Sequence, residues 1–572
     1  MNTMARPGSE VKMFDKAIEQ ENQNLCLLLT ESARQFPYKR SIVVPVHKDD
    51  RGRYAYTYLT YEQLEKEVHR CAWGFDSVGI GDGDRVLVMI TPGIDLVMVV
   101  FALFRVGAIP VFIDEGMGME NLLHCVEEVE PQAMVTIPRG LELYSRFPES
   151  FRTVTQTVVV GKNEGTHSLD DLRSGKSTPF PAAYKAPEDL IIILFTTGST
   201  GTSKGVEYTP RVVRSQLKVM RETWGLTDQD VDLPIFPTFT IGTISIGMTV
   251  VVPDMNSAHP AQADPANIVQ QINDNGVTYS FGSPALWDKV TRYCLEHDIQ
   301  LPSVRNILIG GAPVPSSLIR RFPKILPNGC CNTPLGATEG NPLTNITSDE
   351  LISETLPLTD QGKGICVGKL LPGHEVRVIE ITDAPIPFWN QARLLEPGEV
   401  GELVVSGPVV THRYFRRPEA TKMAKIYDEN GSIAHRLGDT GFIDEKGRVW
   451  FCGRRAHIAI CRGQYWFPLQ VESAFNSEMD IYRTALVNVE VNGEKELALC
   501  IEFESDAKIK SSQIPDGRLS ELKARADHLN IPLSYFFACP NGFPVDIRHN
   551  AKINRPALSN WAKNLVDMEQ HI

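Results

Sequence analysis

The run Phe195-Thr-Thr-Gly-Ser-Thr-Gly-Thr-Ser-Lys-Gly205 follows Ile191-Ile-Ile-Leu194, an apolar, β-branched stretch that reads as a buried strand. A buried strand that runs out into glycines and hydroxyls is suited to hold an anion. Gly198 and Gly201 let the backbone come close enough for several N–H groups to converge on one phosphate. Thr196, Thr197, Ser199 and Thr200 add hydroxyl donors or reach a metal, and Lys204 supplies a point charge. The Walker pattern G-x-x-x-x-G-K-[ST] is not met, because Thr202 and Ser203 separate Gly201 from Lys204. The competing reading is a solvated Ser/Thr/Gly loop.

At 572 residues the chain exceeds one compact core, and a large domain plus a smaller one is expected. Hydrophobic content of 42% and charged content of 22% fit a soluble globular protein. With a formal net charge of -13 and no strong basic cluster, a nucleic-acid backbone is not an expected partner. The 11 cysteines are scattered without a C-x-x-C and read as reduced core thiols of a cytoplasmic protein. The first residues carry no apolar signal-peptide core. The apolar stretch Val86 to Ile113 is broken at Thr91-Pro92-Gly93 and carries Asp95 and Arg105. It predicts a strand, a helix over about 94–106 and a second strand, not a transmembrane segment.

Strand and helix patterns alternate through the first half of the chain. Tyr61 to Phe75 has helical spacing, and Thr157-Val-Val-Val160 reads as a buried strand. This predicts an α/β fold with parallel, doubly wound sheets. Ile307-Leu-Ile-Gly-Gly-Ala-Pro313 is a strand ending in a glycine turn, and ligands of open α/β sheets lie at such strand ends. Past residue 395 short β segments dominate, and the domain boundary is placed so that residues 1–453 form the large unit and 454–572 the small one.

The 195–205 run resembles [YF]-T-[ST]-G-[ST]-T-G-x-P-K-G of the adenylate-forming superfamily of acyl-CoA synthetases, peptide-synthetase adenylation domains and luciferases. Ser203 stands in place of the proline. Further resemblances follow in order. They are Asp230 to Thr240 (D-V-x-L-x-x-L-P-x-F-H), Gly310-Gly-Ala-Pro313, Thr333-Pro-Leu-Gly-Ala-Thr-Glu339 (Y-G-x-T-E), Arg436-Leu-Gly-Asp439 (R-T-G-D), Gly453-Arg454, and Asn550-Ala-Lys-Ile-Asn-Arg555 (G-K-[IV]-x-R). The resemblance implies a large N-terminal domain of doubly wound sheets plus a small β-barrel-like part, then a small mobile α+β C-terminal domain. It also implies ATP and Mg²⁺.

By the same resemblance, residues 196–204 hold the β- and γ-phosphates, and Gly311, Ala312, Pro313 and Gly336 lie along the nucleotide. Thr338 donates to the α-phosphate, and Glu339, with Thr200, binds Mg²⁺. Asp439 takes the ribose hydroxyls, Arg454 supports the ribose and the domain orientation, and Lys552 bridges the carboxylate and α-phosphate as charge develops. The catalytic set so implied is Lys552, Thr338, Glu339 and Lys204. Without that context the Gly438-Asp439 pair is a simple turn and Lys552 a surface lysine.

Departures narrow the branch. Leu335 replaces an aromatic that stacks on adenine, where a leucine can still pack on the base. Thr240 replaces a histidine common in acyl-CoA synthetases, and Ala456 replaces the usual Asp or Lys at the hinge. Val252-Pro-Asp-Met255 with Ala263-Asp-Pro265, Phe281 to Leu286, and above all Phe543-Pro-Val-Asp-Ile-Arg-His-Asn-Ala-Lys-Ile553 resemble the olefin β-lactone synthetases. That branch implies a 2-alkyl-3-hydroxy fatty acid, activated as acyl-AMP and closed by its own 3-hydroxyl without CoA. It also implies a thiolase-like enzyme, a reductase and a β-lactone decarboxylase on the same hydrocarbon pathway, in a shared assembly. His549 is a candidate base, with a structural or exposed histidine as the plainer alternative. Phe236, Phe239, Ile241, Ile244, Ile246 and Trp287 are candidates to line the acyl pocket. Three other readings stay open: a fatty acyl-CoA synthetase, an acyl-AMP ligase loading a carrier protein (Arg462 to Pro468 resembles that branch), and a degenerate adenylate-binding scaffold.

Overall fold

The computed structural model describes residues 21–161, 166–196, 203–504, 507, 509, 511–545 and 553–570. Two seven-stranded sheets form the large unit, and each is parallel except at one edge. In the first the order is His167–Ser168, Gln156–Val159, Ala133–Thr136, Arg85–Met89, Ile109–Ile113, Ile192–Thr196 and Lys204–Tyr208. In the second it is Cys330–Asn332, Asn306–Ile309, Tyr279–Gly282, Val231–Asp232, Thr249–Val251, Arg40–Lys48 and Tyr54–Thr60. The antiparallel edge strands are Lys204–Tyr208 and Tyr54–Thr60.

The expected strand–helix–strand unit over 86–113 is present, with its helix at Ile94–Val106. Every residue from Leu96 to Val106 is buried, because the helix lies between the first sheet and helices Tyr61–Ser77 and Cys26–Gln35. Being apolar all round therefore marks a core helix here. Its one late charge is neutralised: Arg105 donates to Glu65 at 2.6 Å and to Thr30 at 2.7 Å. Among the described residues, no helix is long and apolar enough to cross a membrane.

The strands Ile192–Thr196 and Lys204–Tyr208 pair antiparallel, with Thr196 opposite Lys204. The strands that flank the glycine- and hydroxyl-rich run are therefore antiparallel neighbours, whereas a Walker loop leads into a helix. Gly205 is required for this pairing, since a Cβ there would meet the Phe195 ring at 2.8 Å.

An antiparallel third sheet completes the large unit and corresponds to the barrel-like part. Its order is Thr344–Asn345, Ile365–Leu370, Arg448–Arg454, Ile433–Ile443, Gly401–Ser406 and Glu375–Ile379, and Lys425–Tyr427 also pairs with Ile433–Ile443. Sheet membership changes once strand Arg448–Arg454 ends. Later strands form a hairpin, Ala459–Cys461 with Gln464–Trp466, and a three-stranded sheet of Ile481–Val491, Glu494–Phe503 and Leu533–Ala538. Helices Pro468–Phe475, Asp516–His528 and Arg555–Gln570 accompany them. Arg555 is held by buried Glu472 at 2.5 and 3.0 Å. The bridge between Val545 and Ile553 brings together the two ends of the segment that contains position 552.

All 11 cysteines are free thiols, and all but Cys330 are buried. Trp287 is wholly buried in the core of the second sheet, with Phe322 edge-on at 6.2 Å. Trp287→Ala should therefore lower unfolding stability by about 3–5 kcal/mol, measured by denaturant titration, without altering the acyl chain preferred.

Candidate active site

A cavity of about 1680 Å³ runs between the two parallel sheets and out to the third. At one end its wall is polar: Lys204, Gly310, Gly311, Gly336, Thr338, Glu339, Tyr414, His435 and Arg454. At the other it is largely apolar, with Leu96, Val97 and Val100 from the buried helix facing Phe236, Phe239, Ile241 and Phe281. The phenylalanines form a packed wall, Phe281 lying 5.4 Å from Phe236 and 4.5 Å from Phe239.

The polar end is assembled where the sheets meet. The segment around Tyr414 docks on the edge strand that begins at Lys204, through a bridge to Val206 and the Phe415 N–H donating to Gly205 O at 2.7 Å. Tyr414 then donates its hydroxyl to Glu339 Oε1 at 2.5 Å, and Tyr208 donates to Thr338 O at 2.6 Å. The Thr411 N–H and hydroxyl both donate to Glu339 O, at 2.8 and 3.2 Å. Behind them, buried Lys425 donates to Thr411 O at 2.5 Å. Burial and the Glu339 charge both keep Tyr414 protonated, so it serves as a donor. The Glu339 carboxylate is thus aimed, with its other oxygen left for a ligand. Lys204 Nζ stands 5.1 Å from the Tyr414 ring centroid, at the same end. Gly336 is fixed by crowding: a Cβ there would meet Asn341 Oδ1.

Asp439 and Arg454 face each other as a cross-strand pair. Arg454 Nε comes within 2.9 Å of Asp439 Oδ1, but that oxygen accepts no hydrogen bond from the described residues. Arg454 instead donates to Leu437 O at 3.1 Å. Burial pushes the Asp439 carboxyl up to about 6, with Arg454 opposing and the Glu339 and Glu402 charges adding to the rise. A buried carboxylate oxygen without a donor suits a pair of ligand hydroxyls. Among the described residues no three His, Cys, Asp or Glu side chains gather to hold a metal. A cation at Glu339 would therefore take most of its oxygens from a ligand, as Mg²⁺ does beside phosphates.

One family model, described as AMP-binding enzyme, matches residues 29–415. The chain belongs to this family. The AMP-binding enzyme is 38% identical over 553 residues to the olefin beta-lactone synthetase of Stenotrophomonas maltophilia (strain K279a), covering 94% of the chain and 98% of the relative. It is 37% identical to the olefin beta-lactone synthetase of Xanthomonas campestris pv. campestris, covering 94% and 97%. Its fold is similar to ATP-bound MatB from Rhodopseudomonas palustris, with a TM-score of 0.74, 20% identity, and 95% and 99% of the two chains covered. It is an AMP-forming, adenylate-forming ligase.

The expected residues Lys204, Gly311, Gly336, Thr338, Glu339 and Arg454 share this cavity, with Asp439 paired behind Arg454. Ala312 and Pro313 belong to the same turn as Gly311 but do not line it. Thr197, Gly198, Ser199, Thr200, Gly201, His549 and Lys552 lie outside the described residues, as does the side chain of Thr196.

Two expectations about the walls need correction. Ile244, Ile246 and Trp287 pack into the cores and do not line the cavity, because their side chains face away from it. Leu335 is turned into the apolar cluster of the third sheet with Leu343, Val405 and Leu437, so it does not offer a surface to a base. The wall supplied by helix Ile94–Val106 was not anticipated, since an all-apolar helix gives no sign of which side meets a cavity. Tyr414 and His435 were also missed. The one available signal was for His435, which shares a strand with Asp439 four positions earlier.

ATP binding should weaken as pH falls through about 6, because Asp439 becomes protonated there. Calorimetric titration of the Asp439→Asn variant should show affinity lower by about tenfold or more and no such pH limb.

Proposed function

We propose that the enzyme activates a 2-alkyl-3-hydroxy fatty acid with ATP and closes it to a β-lactone. The observation that carries this reading is the end-to-end similarity to two olefin beta-lactone synthetases, at 38% and 37% identity. The carboxylate attacks the α-phosphorus of ATP, giving acyl-AMP and pyrophosphate. The 3-hydroxyl oxygen then bonds to the acyl carbon, the bond to AMP breaks, and the hydroxyl proton leaves. The largely apolar far end of the cavity, between Val97, Val100, Phe239 and Phe281, supports an acid with long alkyl parts.

In this reading Lys204 and residues 196–201 take the β- and γ-phosphates, Thr338 the α-phosphate and Asp439 the ribose hydroxyls. Arg454 holds the ribose side, and Gly311 and Gly336 give the nucleotide backbone room. Ala312 and Pro313 shape the turn that carries Gly311. Glu339, with Thr200, would hold Mg²⁺, which when bound neutralises phosphate charge. Lys552 stabilises the negative charge that develops between carboxylate and α-phosphate. Residues 1–453 form the adenylation core and 454–572 a mobile domain that brings Lys552 in. Because the acceptor hydroxyl is part of the substrate, no thiol channel is needed, and a non-polar hinge at Ala456 is tolerated. The free, mostly buried thiols fit a reducing cytoplasm. Such a substrate must come from enzymes that condense and reduce acyl groups, and a decarboxylating enzyme would consume the lactone.

The test is incubation with ATP, Mg²⁺ and a 2-alkyl-3-hydroxy fatty acid, with and without CoA, read by NMR and mass spectrometry. A β-lactone formed equally without CoA is expected. Acyl-CoA appearing only with the thiol would overturn ring closure in favour of a CoA ligase, and adenylate left intact would favour a carrier-protein acceptor. Val100→Trp should shorten the accepted alkyl chain by filling the apolar wall, raising KM for the longest acids most.

A further inference from the structure

The polar end of the cavity holds one group that adenylate formation, as described above, leaves unused. His435 is 2% exposed, lines the cavity, and has an Nδ1 without a hydrogen-bond partner among the described residues. A polar atom buried in this way carries a desolvation cost that a ligand at the same point would relieve. Its surroundings say what kind of ligand. Lys204 approaches from the edge of the first sheet, Arg454 from strand Arg448–Arg454, and Lys425 from the strand beside it. The Ala424 backbone hydrogen-bonds the ring. The Tyr414 ring stands edge-on at 6.5 Å, with its hydroxyl committed to Glu339.

Lys204 Nζ and the His435 ring both lie against the Tyr414 ring, at 5.1 and 6.5 Å, whereas Arg454 is paired with Asp439. Lys425 is fully buried, which lowers it to about 7 against the pull of the Glu339 charge, and its hydrogen bond among the described residues goes to the Thr411 carbonyl. Burial and the three cations hold the His435 ring well below its usual range. The wall beside Lys204 therefore holds an unsatisfied imidazole. An anion held by Lys204 would reach it.

We propose that His435 is a pyrophosphate-binding residue: its Nδ1 donates an N–H to an oxygen of the β,γ-phosphate unit of ATP and keeps that contact in the pyrophosphate that leaves. The charge of the anion offsets Lys204 and favours a proton on both ring nitrogens while the anion is bound. The contact is charge-assisted and separates ATP from AMP, which lacks the two outer phosphates. This inference rests on adenylate formation alone and is independent of whether the acceptor is the internal hydroxyl, CoA or a carrier protein.

The experiment compares the full-length parent with His435→Leu, His435→Asn and His435→Gln, measuring binding of Mg·ATP, Mg·pyrophosphate and AMP by calorimetry. Asparagine places an amide N–H near the position of Nδ1, and glutamine does not. His435→Leu should weaken ATP and pyrophosphate by about ten- to a hundredfold and leave AMP unchanged. His435→Asn should recover part of the loss and His435→Gln little. If the leucine variant does not fold, the Asn and Gln pair still decides, with AMP affinity as the control for an intact site. Equal weakening of ATP and AMP would make the role structural and overturn the proposal, as would unchanged affinity for all three. Normal ATP and pyrophosphate binding with slowed consumption of a preformed acyl-adenylate would overturn it too, assigning His435 to the second half-reaction.

Discussion

The hydrogen bonds converging on the Thr338–Glu339 peptide unit and the Glu339 carboxylate hold the large unit together at its working end. Tyr208 arrives from the first parallel sheet, Tyr414 from the segment that docks on that sheet's edge, and Thr411 from the same segment, with Lys425 behind it. The neutral bonds among these contribute about 1 kcal/mol net each, and the charge-assisted bond from Tyr414 to the carboxylate contributes more. They matter because they join elements far apart in sequence at the point where Glu339 must be aimed. Loss of one would loosen the carboxylate before it threatened the fold.

Charge is managed differently in the scaffold and in the site. Arg436 and Glu402 form a fully buried ion pair at 2.6 Å, with Arg436 also donating to three backbone carbonyls. Arg105 with Glu65, and Arg555 with Glu472, are likewise closed pairs. Glu65 Oε2 and Arg105 Nε nonetheless lack hydrogen-bond partners among the described residues, as do Asp439 Oδ1 and His435 Nδ1 at the cavity. What sets the last two apart is place: His435 lines the cavity, and Asp439 stands against Arg454, which also lines it.

Much of the architecture was legible from sequence because hydrophobic period and glycine turns are local signals. Helix Ile94–Val106 emerged with the bounds that its flanking glycines suggest, and Gly205, Gly311 and Gly336 fell where close approach or a turn requires them. The parts that were not legible depend on long-range geometry. Tyr414 acquires its role only because Val206 pairs with it across the sheet edge. Leu335 looked like part of the nucleotide wall because its neighbours are, yet one residue of turn directs it into the core of the third sheet. Ile244, Ile246 and Trp287 have the composition of a pocket wall and the placement of a core, a distinction that composition does not carry.

The small domain's closing bridge has a mechanical consequence. Val545 and Ile553 are bridged to each other, the Asn554 N–H is held by Pro544 O, and Arg555 is locked into Glu472 on helix Pro468–Phe475. The described residues on either side of the segment that contains position 552 are thus tied to the body they belong to, and a load on that body would reach them without first being taken up as slack.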